Sequence, residues 1–149
     1  MDLQIVQQLA RGLMDSHGLE QWDLVFDSAR RRAGMTRYND RVISLSQPLM
    51  QLYDETQVRD VVLHEISHAR VGTGHGHDAT WKKEARRLGT PARASISEGP
   101  RAPAPYVGRC SNGHEVERFR LPRGARSIAT CSKTFDSRYL MTWYRTTNV

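Results

Sequence analysis

Long apolar runs are missing from this sequence, and so is a disulfide framework. No stretch approaches the roughly 20 apolar residues that a membrane-spanning helix needs. The opening residues, MDLQIVQQLARGLMDSHG, mix charge into an amphipathic pattern and lack the basic-then-apolar order of a secretory signal. The two cysteines, Cys110 and Cys131, are too few to build a disulfide scaffold. We therefore expect a cytoplasmic globular protein with no membrane partner, in which cysteine has a metal-binding or structural role.

Acidic residues are scarce in the second half of the chain. Residues 1–81 carry 8 basic and 11 acidic side chains, a net charge of −3, whereas residues 82–149 carry 14 and 5, a net charge of +9. A basic half beside a mildly acidic one favours a polyanionic partner, and nucleic acid is the first candidate for that partner. The alternative is a solvated face that only keeps the protein soluble.

Proline is also unevenly distributed. Four of the six prolines lie in TPARASISEGPRAPAP, residues 90–105, which has no hydrophobic periodicity and is typical of a linker. We therefore divide the chain into a main domain at 1–89, a linker at 90–105 and a small tail domain at 106–149. With one main domain of this size, we expect a monomer.

Hydrophobic periodicity predicts an α+β fold in which helices pack on a small antiparallel sheet. Thr56 is a plausible N-cap of the second helix, and Asp78 of the third. We expect a turn at 48–52 and a small β-rich tail. The pattern predicts helices over 2–16, 55–70 and 79–88, and strands over 22–26, 34–38 and 41–46.

Four of the six histidines lie between Val61 and Trp81, in VVLHEISHARVGTGHGHDATW. His64 and His68 are four residues apart, so they share one face of a helix and can both bind one Zn²⁺. Glu65 follows the first of them, the place of the general base in an HExxH motif. If the two histidines were incidental, a largely apolar helix would bury three ionisable groups without a partner, which is costly.

The third metal ligand is less clear from the spacing. The HExxHxxGxxH pattern fails, because Val71 and Gly74 occupy its last two positions. Glu84 is a possible carboxylate ligand. However, it lies closer to the HExxH motif in the sequence than we expect for a ligand on a helix that returns to the metal. His75 and His77 remain; we favour His77, because it lies directly before the third helix, and keep His75 as the alternative.

The segments LHEISHA and GHGHDATWKK resemble the SprT-like (Spartan-type) zinc metalloproteases. That family combines HExxH, a short glycine-rich excursion and then a histidine four residues before an aromatic residue. His77 matches that histidine and Trp81 the aromatic. RRRAGMTRYNDRVISLS is similar to the strand pair upstream of the metal helix, so the resemblance covers roughly residues 3–90.

The resemblance implies a zincin-like domain in which His64, His68 and His77 bind the zinc ion and Glu65 is catalytic. It also implies a protease that cleaves DNA-bound proteins, including covalent crosslinks, and so acts in DNA repair. It does not identify the residue that stabilises the oxyanion. Tyr38, Tyr53 and Arg70 are candidates.

Many members of that family end in a zinc ribbon with two ligand pairs, and here the ribbon is degenerate. Cys110, His114 and Cys131 are possible ligands, but Ile128 stands where the second pair needs its first thiolate. A structural zinc site needs four ligands. We expect one catalytic Zn²⁺ and a metal-free tail hairpin packed by Phe119, Phe135, Tyr139 and Trp143. A three-ligand site completed from elsewhere and a Cys110–Cys131 pairing are the alternatives.

Arginines and aromatic residues alternate along the tail, a composition typical of non-sequence-specific nucleic-acid binding. The alternative places the aromatics in a small core and the arginines in water. No base-reading motif is present. The candidate nucleic-acid contacts are Arg109, Arg118, Arg120, Arg123, Arg126 and Trp143.

Three functions compete at this point. The first is a zinc endopeptidase acting on protein substrates at DNA, and therefore associated with the nucleoid. The second is a non-catalytic DNA-binding or regulatory adaptor that retains a zincin fold. The third is a metallopeptidase that processes a protein regulator, its basic tail binding an acidic protein partner.

Overall fold

The computed structural model describes residues 1–95, 99–128 and 131–146, and it divides into two compact units, Met1–Ala102 and Pro103–Val149. The predicted linker, 90–105, spans this division, and its residues 96–98 lie outside the described residues. Within the described ranges, every helix is too short or too polar to cross a membrane.

The first unit has four helices and three strands, which confirms the α+β class. The predicted turn at 48–52 is wrong: a short helix forms there, because the Ser46 hydroxyl accepts a hydrogen bond from Leu49 N and Pro48 fits the first helical turn. The elements are α1 (Leu3–Ser16), β1 (Asp23–Asp27), β2 (Gly34–Arg37), β3 (Val42–Ser46), α2 (Gln47–Leu52), α3 (Glu55–Val71) and α4 (Ala79–Leu88).

The sheet is mixed, so the prediction of a purely antiparallel sheet is wrong. Its order is β1-β3-β2; β2 and β3 form an antiparallel hairpin, and β1 runs parallel to β3. After β1 the chain crosses the end of β3 before it enters β2. Ser46 fixes this crossing, because its N–H donates to Ala33 O at 2.8 Å and its hydroxyl donates to Ala29 O. All five residues of β3, the central strand, are buried.

Helix α3 runs through the interior of the unit. It begins at a capping box in which Asp54 accepts from Gln57 N at 2.8 Å and Gln57 Oε1 accepts from Asp54 N at 3.0 Å. Asp54 is therefore the cap, and the prediction of Thr56 is wrong. Every residue from Val61 to Ser67 is buried, and the helix contacts α1, α4, β2 and β3. His64 to Ser67 therefore lie inside the first unit, and His68 is half-buried.

Helix α4 returns along α3. Asp78 accepts a hydrogen bond from Trp81 N at 3.0 Å, and Gly89 ends the helix in the left-handed region at φ 85°. These caps confirm the predicted bounds. An ion pair between Arg70 of α3 and Glu84 of α4 joins the two helices beside the buried Trp81.

The second unit is a three-stranded antiparallel sheet with the order β5-β4-β6. Its strands are β4 (Tyr106–Arg109), β5 (Glu115–Arg118) and β6 (Thr142–Arg145), with a 3-10 turn at Ser137–Tyr139 before β6. Trp143 packs over Gly108, where an added Cβ would lie 2.8 Å from the indole ring. Phe135 is 58% exposed, so the prediction that it packs the tail hairpin is wrong.

Candidate metal centre

Three imidazoles meet at one point in the first unit. His77 Nε2 lies 3.1 Å from His64 Nε2 and 3.1 Å from His68 Nε2. A ring nitrogen offers one proton or one lone pair, so His77 Nε2 cannot satisfy both neighbours by conventional hydrogen bonds. Nitrogens bound to one tetrahedral zinc ion at the usual bond lengths lie about 3.3 Å apart. The donor set therefore fits a shared cation better than it fits a hydrogen-bonded triad.

Two helices and one glycine-rich turn produce this convergence. His64 and His68 lie one turn apart on α3, which ends at Gly72. The chain then reverses through Gly74, at φ 89°, and presents His77 directly before the cap of α4. Positive φ at these positions favours glycine, which explains the composition of the turn.

The alternative third ligands lie outside this cluster. His75 Nδ1 is 2.9 Å from Asp78 Oδ2, on the outer side of the turn. Glu84 is ion-paired with Arg70 and Arg87, and hydrogen bonds from Arg87 and then Arg70 lower the pKa of its carboxyl to about 2. Within the described ranges, the ligand atoms of His64, His68 and His77 form the one such group in the first unit.

The indole ring of Trp81 packs against all three imidazoles of the cluster. Its ring centroid lies 4.7 Å from that of His64, 5.1 Å from that of His68 and 4.5 Å from that of His77. The side chain is fully buried, and its Nε1 has no hydrogen-bond partner among the described residues. The three imidazoles thus pack on a large aromatic surface that limits their movement.

Burial keeps the imidazoles of His64 and His68 neutral. It lowers the pKa of His64 to about 4, with His68 and His77 as further causes, and it lowers the pKa of His68 to about 4, with His77 as the further cause. Neutral imidazole is the form that binds a metal ion. At neutral pH both side chains are therefore ready to coordinate.

Glu65 is held by strand β2. It is 6% exposed, and Thr36 Oγ1 donates to its Oε2 at 2.8 Å. Gly34 lies beneath the same carboxylate: an added Cβ would be 2.7 Å from Glu65 Cγ. Burial raises the pKa of Glu65 to about 7, although the Thr36 hydrogen bond and the charge of Arg32 oppose this rise.

Sequence reasoning did not find Thr36 and Gly34. The signal that could have found them is their two-residue spacing on a strand next to the metal helix, which places both on one face. Of the oxyanion candidates, Tyr38 is electrostatically coupled to Glu65: burial and then the Glu65 charge raise its pKa. Tyr53 is buried, and Arg70 is ion-paired with Glu84.

The predicted nucleic-acid contacts are mostly at the surface of the second unit. All five arginines are exposed, but Arg109 is ion-paired with Glu115. Trp143 is half-buried against Gly108, which leaves it less surface for stacking on a base. Arg118, Arg120, Arg123 and Arg126 are exposed, and none of them forms a salt bridge with another described residue.

The fold and the site together define a class of protein. It is a small α+β domain with a candidate three-histidine metal centre at a largely buried helix. The SprT-like family model matches residues 3–99. The chain belongs to the SprT-like family, as its motifs predict.

The solved structures that are similar to the chain include the metallopeptidase zymogens jannalysin of Methanocaldococcus jannaschii and abylysin of Pyrococcus abyssi. The first is 14% identical with a TM-score of 0.47, over 55% of this chain and 79% of that chain. The second is 16% identical with a TM-score of 0.47, over 65% of this chain and 84% of that chain. No curated protein matches the sequence.

Proposed function

We propose that the protein is a zinc-dependent endopeptidase. The observation that carries this proposal is the convergence of three imidazole nitrogens, two of them from α3, the helix on which the buried Glu65 directly follows His64. Three nitrogen ligands are the usual number in a catalytic zinc site, which keeps a fourth position for exchange. A purely structural site has no use for the carboxylate that follows the first ligand.

The roles of the side chains follow from their contacts. Zinc in such a site supplies a Lewis acid that polarises the scissile carbonyl and makes water more acidic. Thr36 donates a hydrogen bond to Oε2 of Glu65. The other oxygen, Oε1, lies over Gly34 and remains free to accept a proton from the attacking water and to pass it to the leaving amine.

We further propose that the substrates are proteins bound or crosslinked to DNA, cleaved by a monomer in the context of DNA repair. Support comes from the net charge of +9 over residues 82–149 and from exposed arginines of the second unit. A cationic surface binds phosphates without reading sequence. DNA would then localise or activate cleavage.

The test measures cleavage of a basic protein by the zinc-loaded chain alone, with single-stranded DNA and with duplex DNA. We expect DNA to accelerate cleavage and added salt to remove the acceleration, because binding releases counterions. The control variant, Arg120→Gln/Arg123→Gln/Arg126→Gln, should retain the DNA-independent rate and lose most of the acceleration.

The other outcomes separate the competing functions. Salt-sensitive DNA binding without cleavage of any substrate would favour the non-catalytic adaptor. Cleavage that is indifferent to DNA, with no DNA binding at low salt, would favour a peptidase whose basic tail binds an acidic protein.

Removing the Thr36 hydroxyl should slow catalysis without removing the metal. We expect Thr36→Val to lower kcat by roughly 10-fold, because the Glu65 carboxylate loses a charge-assisted hydrogen bond and its pKa rises. The pH at which activity appears should move upward as well. Thr36→Ser, which keeps the hydroxyl, is the matched control; equal losses in both variants would show that Thr36 acts through packing instead.

A further inference from the structure

The second unit contains a separate cluster of metal-ligating side chains. Cys110 Sγ lies 3.4 Å from His114 Nδ1 and 3.9 Å from Cys131 Sγ, and His114 Nδ1 lies 3.2 Å from Cys131 Sγ. Cys110 is buried, Cys131 is half-buried and His114 is exposed, so the group lies at the edge of the small sheet.

Backbone hydrogen bonds position the residues of this cluster. Cys110 N donates to His114 O at 3.1 Å, and Gly113 N donates to Cys110 O at 3.0 Å. Cys131 N donates to Ile128 O at 3.1 Å. The Asn112 amide reaches Cys131 Sγ at 3.5 Å and links Cys131 to the turn that carries Cys110 and His114. The placement is therefore built by the backbone and does not depend on long flexible side chains.

The distances fit a shared metal ion and do not fit a disulfide. Zinc bonds of about 2.3 Å to sulfur and about 2.0 Å to nitrogen in a tetrahedral site put two sulfurs about 3.8 Å apart, and a sulfur and a nitrogen about 3.5 Å apart. A disulfide requires its two sulfurs at about 2.05 Å. The two thiols here are free and 3.9 Å apart.

We propose that Cys110, His114 and Cys131 bind a second zinc ion, with three protein ligands and one exchangeable position. Thiolate and imidazole together are the usual ligands of zinc in Cys/His sites. Ile128 precedes Cys131 by three residues and offers an apolar side chain that cannot coordinate. In the part of the chain that the structure describes, the group has three members, so the fourth position is left to water or to a small external ligand.

The first test counts zinc in the full-length protein after purification under reducing conditions. We expect two zinc ions per wild-type chain, one in Cys131→Ser and one in His114→Asn. Folding of each variant is checked by circular dichroism and by the zinc ion retained at His64, His68 and His77. One ion per wild-type chain, or a count of two that survives both substitutions, would overturn the proposal.

Cobalt distinguishes the two sites by their ligands. Only the second site has thiolates, so the cobalt-loaded wild type should show a sulfur-to-cobalt charge-transfer band that Cys131→Ser loses. Added imidazole should shift this band, because the fourth position is exchangeable. A band that imidazole leaves unchanged would mean that a fourth protein ligand closes the site, contrary to the proposal.

Discussion

Replacing Glu65 by glutamine should leave a folded, zinc-loaded protein whose peptide cleavage is at least about 1,000-fold slower than that of the wild type. Glutamine has nearly the same volume, and its side-chain oxygen can still accept from Thr36 Oγ1, so the packing between α3 and β2 is retained. It cannot accept a proton from water, and the general base is lost. The measurement is kcat/KM on a quenched fluorescent peptide, with zinc content determined on the same sample.

Glu84→Gln is the matched control for this experiment. Glu84 is also a carboxylate close to the metal helix, but Arg70 and Arg87 neutralise it at the surface between α3 and α4. Its loss should change zinc content and cleavage by less than about twofold and cost on the order of 1 kcal/mol of stability. If Glu65→Gln cleaves within tenfold of the wild type, Glu65 is not the base and the mechanism is wrong.

The three longer helices, α1, α3 and α4, could be predicted from the sequence because their signals are local, whereas the short helix α2 forms where the sequence predicts a turn. The amphipathic spacing of α1, and the Asp78 cap and Gly89 stop of α4, lie within or next to the elements they define. The parallel pairing of β1 with β3 could not be predicted in this way. It depends on a crossing over the end of β3 that Ser46 fixes through Ala29 and Ala33, some 13 to 17 residues away in the sequence.

The same distinction between local signals and contacts of distant residues applies to the candidate site. The placement of His64 and His68 on one face of α3 follows from the period of one helix, and so could be predicted. The hydrogen bond from Thr36 to Glu65 joins residues 29 positions apart, and the close approach of Gly34 to the same side chain depends on how β2 packs on α3. The two-residue spacing of Gly34 and Thr36 places both on one face of β2, but no local pattern shows that this face meets Glu65. The side chains that fix the carboxylate therefore emerged only from the structure.

The choice between His75 and His77 could be predicted only in part. Their spacing from the motif is local, but the conformation of the glycine-rich turn decides which imidazole joins His64 and His68. We expect His77→Ala to weaken zinc binding at the first site by more than about 100-fold, since one of three ligands is removed, and to abolish cleavage. His75→Ala should bind zinc within about twofold of its parent, because its imidazole contacts Asp78 on the outer side of the turn.

Both variants are best made in a Cys131→Ser background, so that zinc at the second unit does not enter the count. Competition with a chromophoric chelator gives the zinc affinity, and cobalt provides a second readout. Cobalt at this site would lie against Trp81, whose ring packs within about 5 Å of all three imidazoles, and should quench its fluorescence. Quenching should persist in His75→Ala and disappear in His77→Ala. The reverse pattern would assign the third ligand to His75 and require the turn between α3 and α4 to refold around the metal.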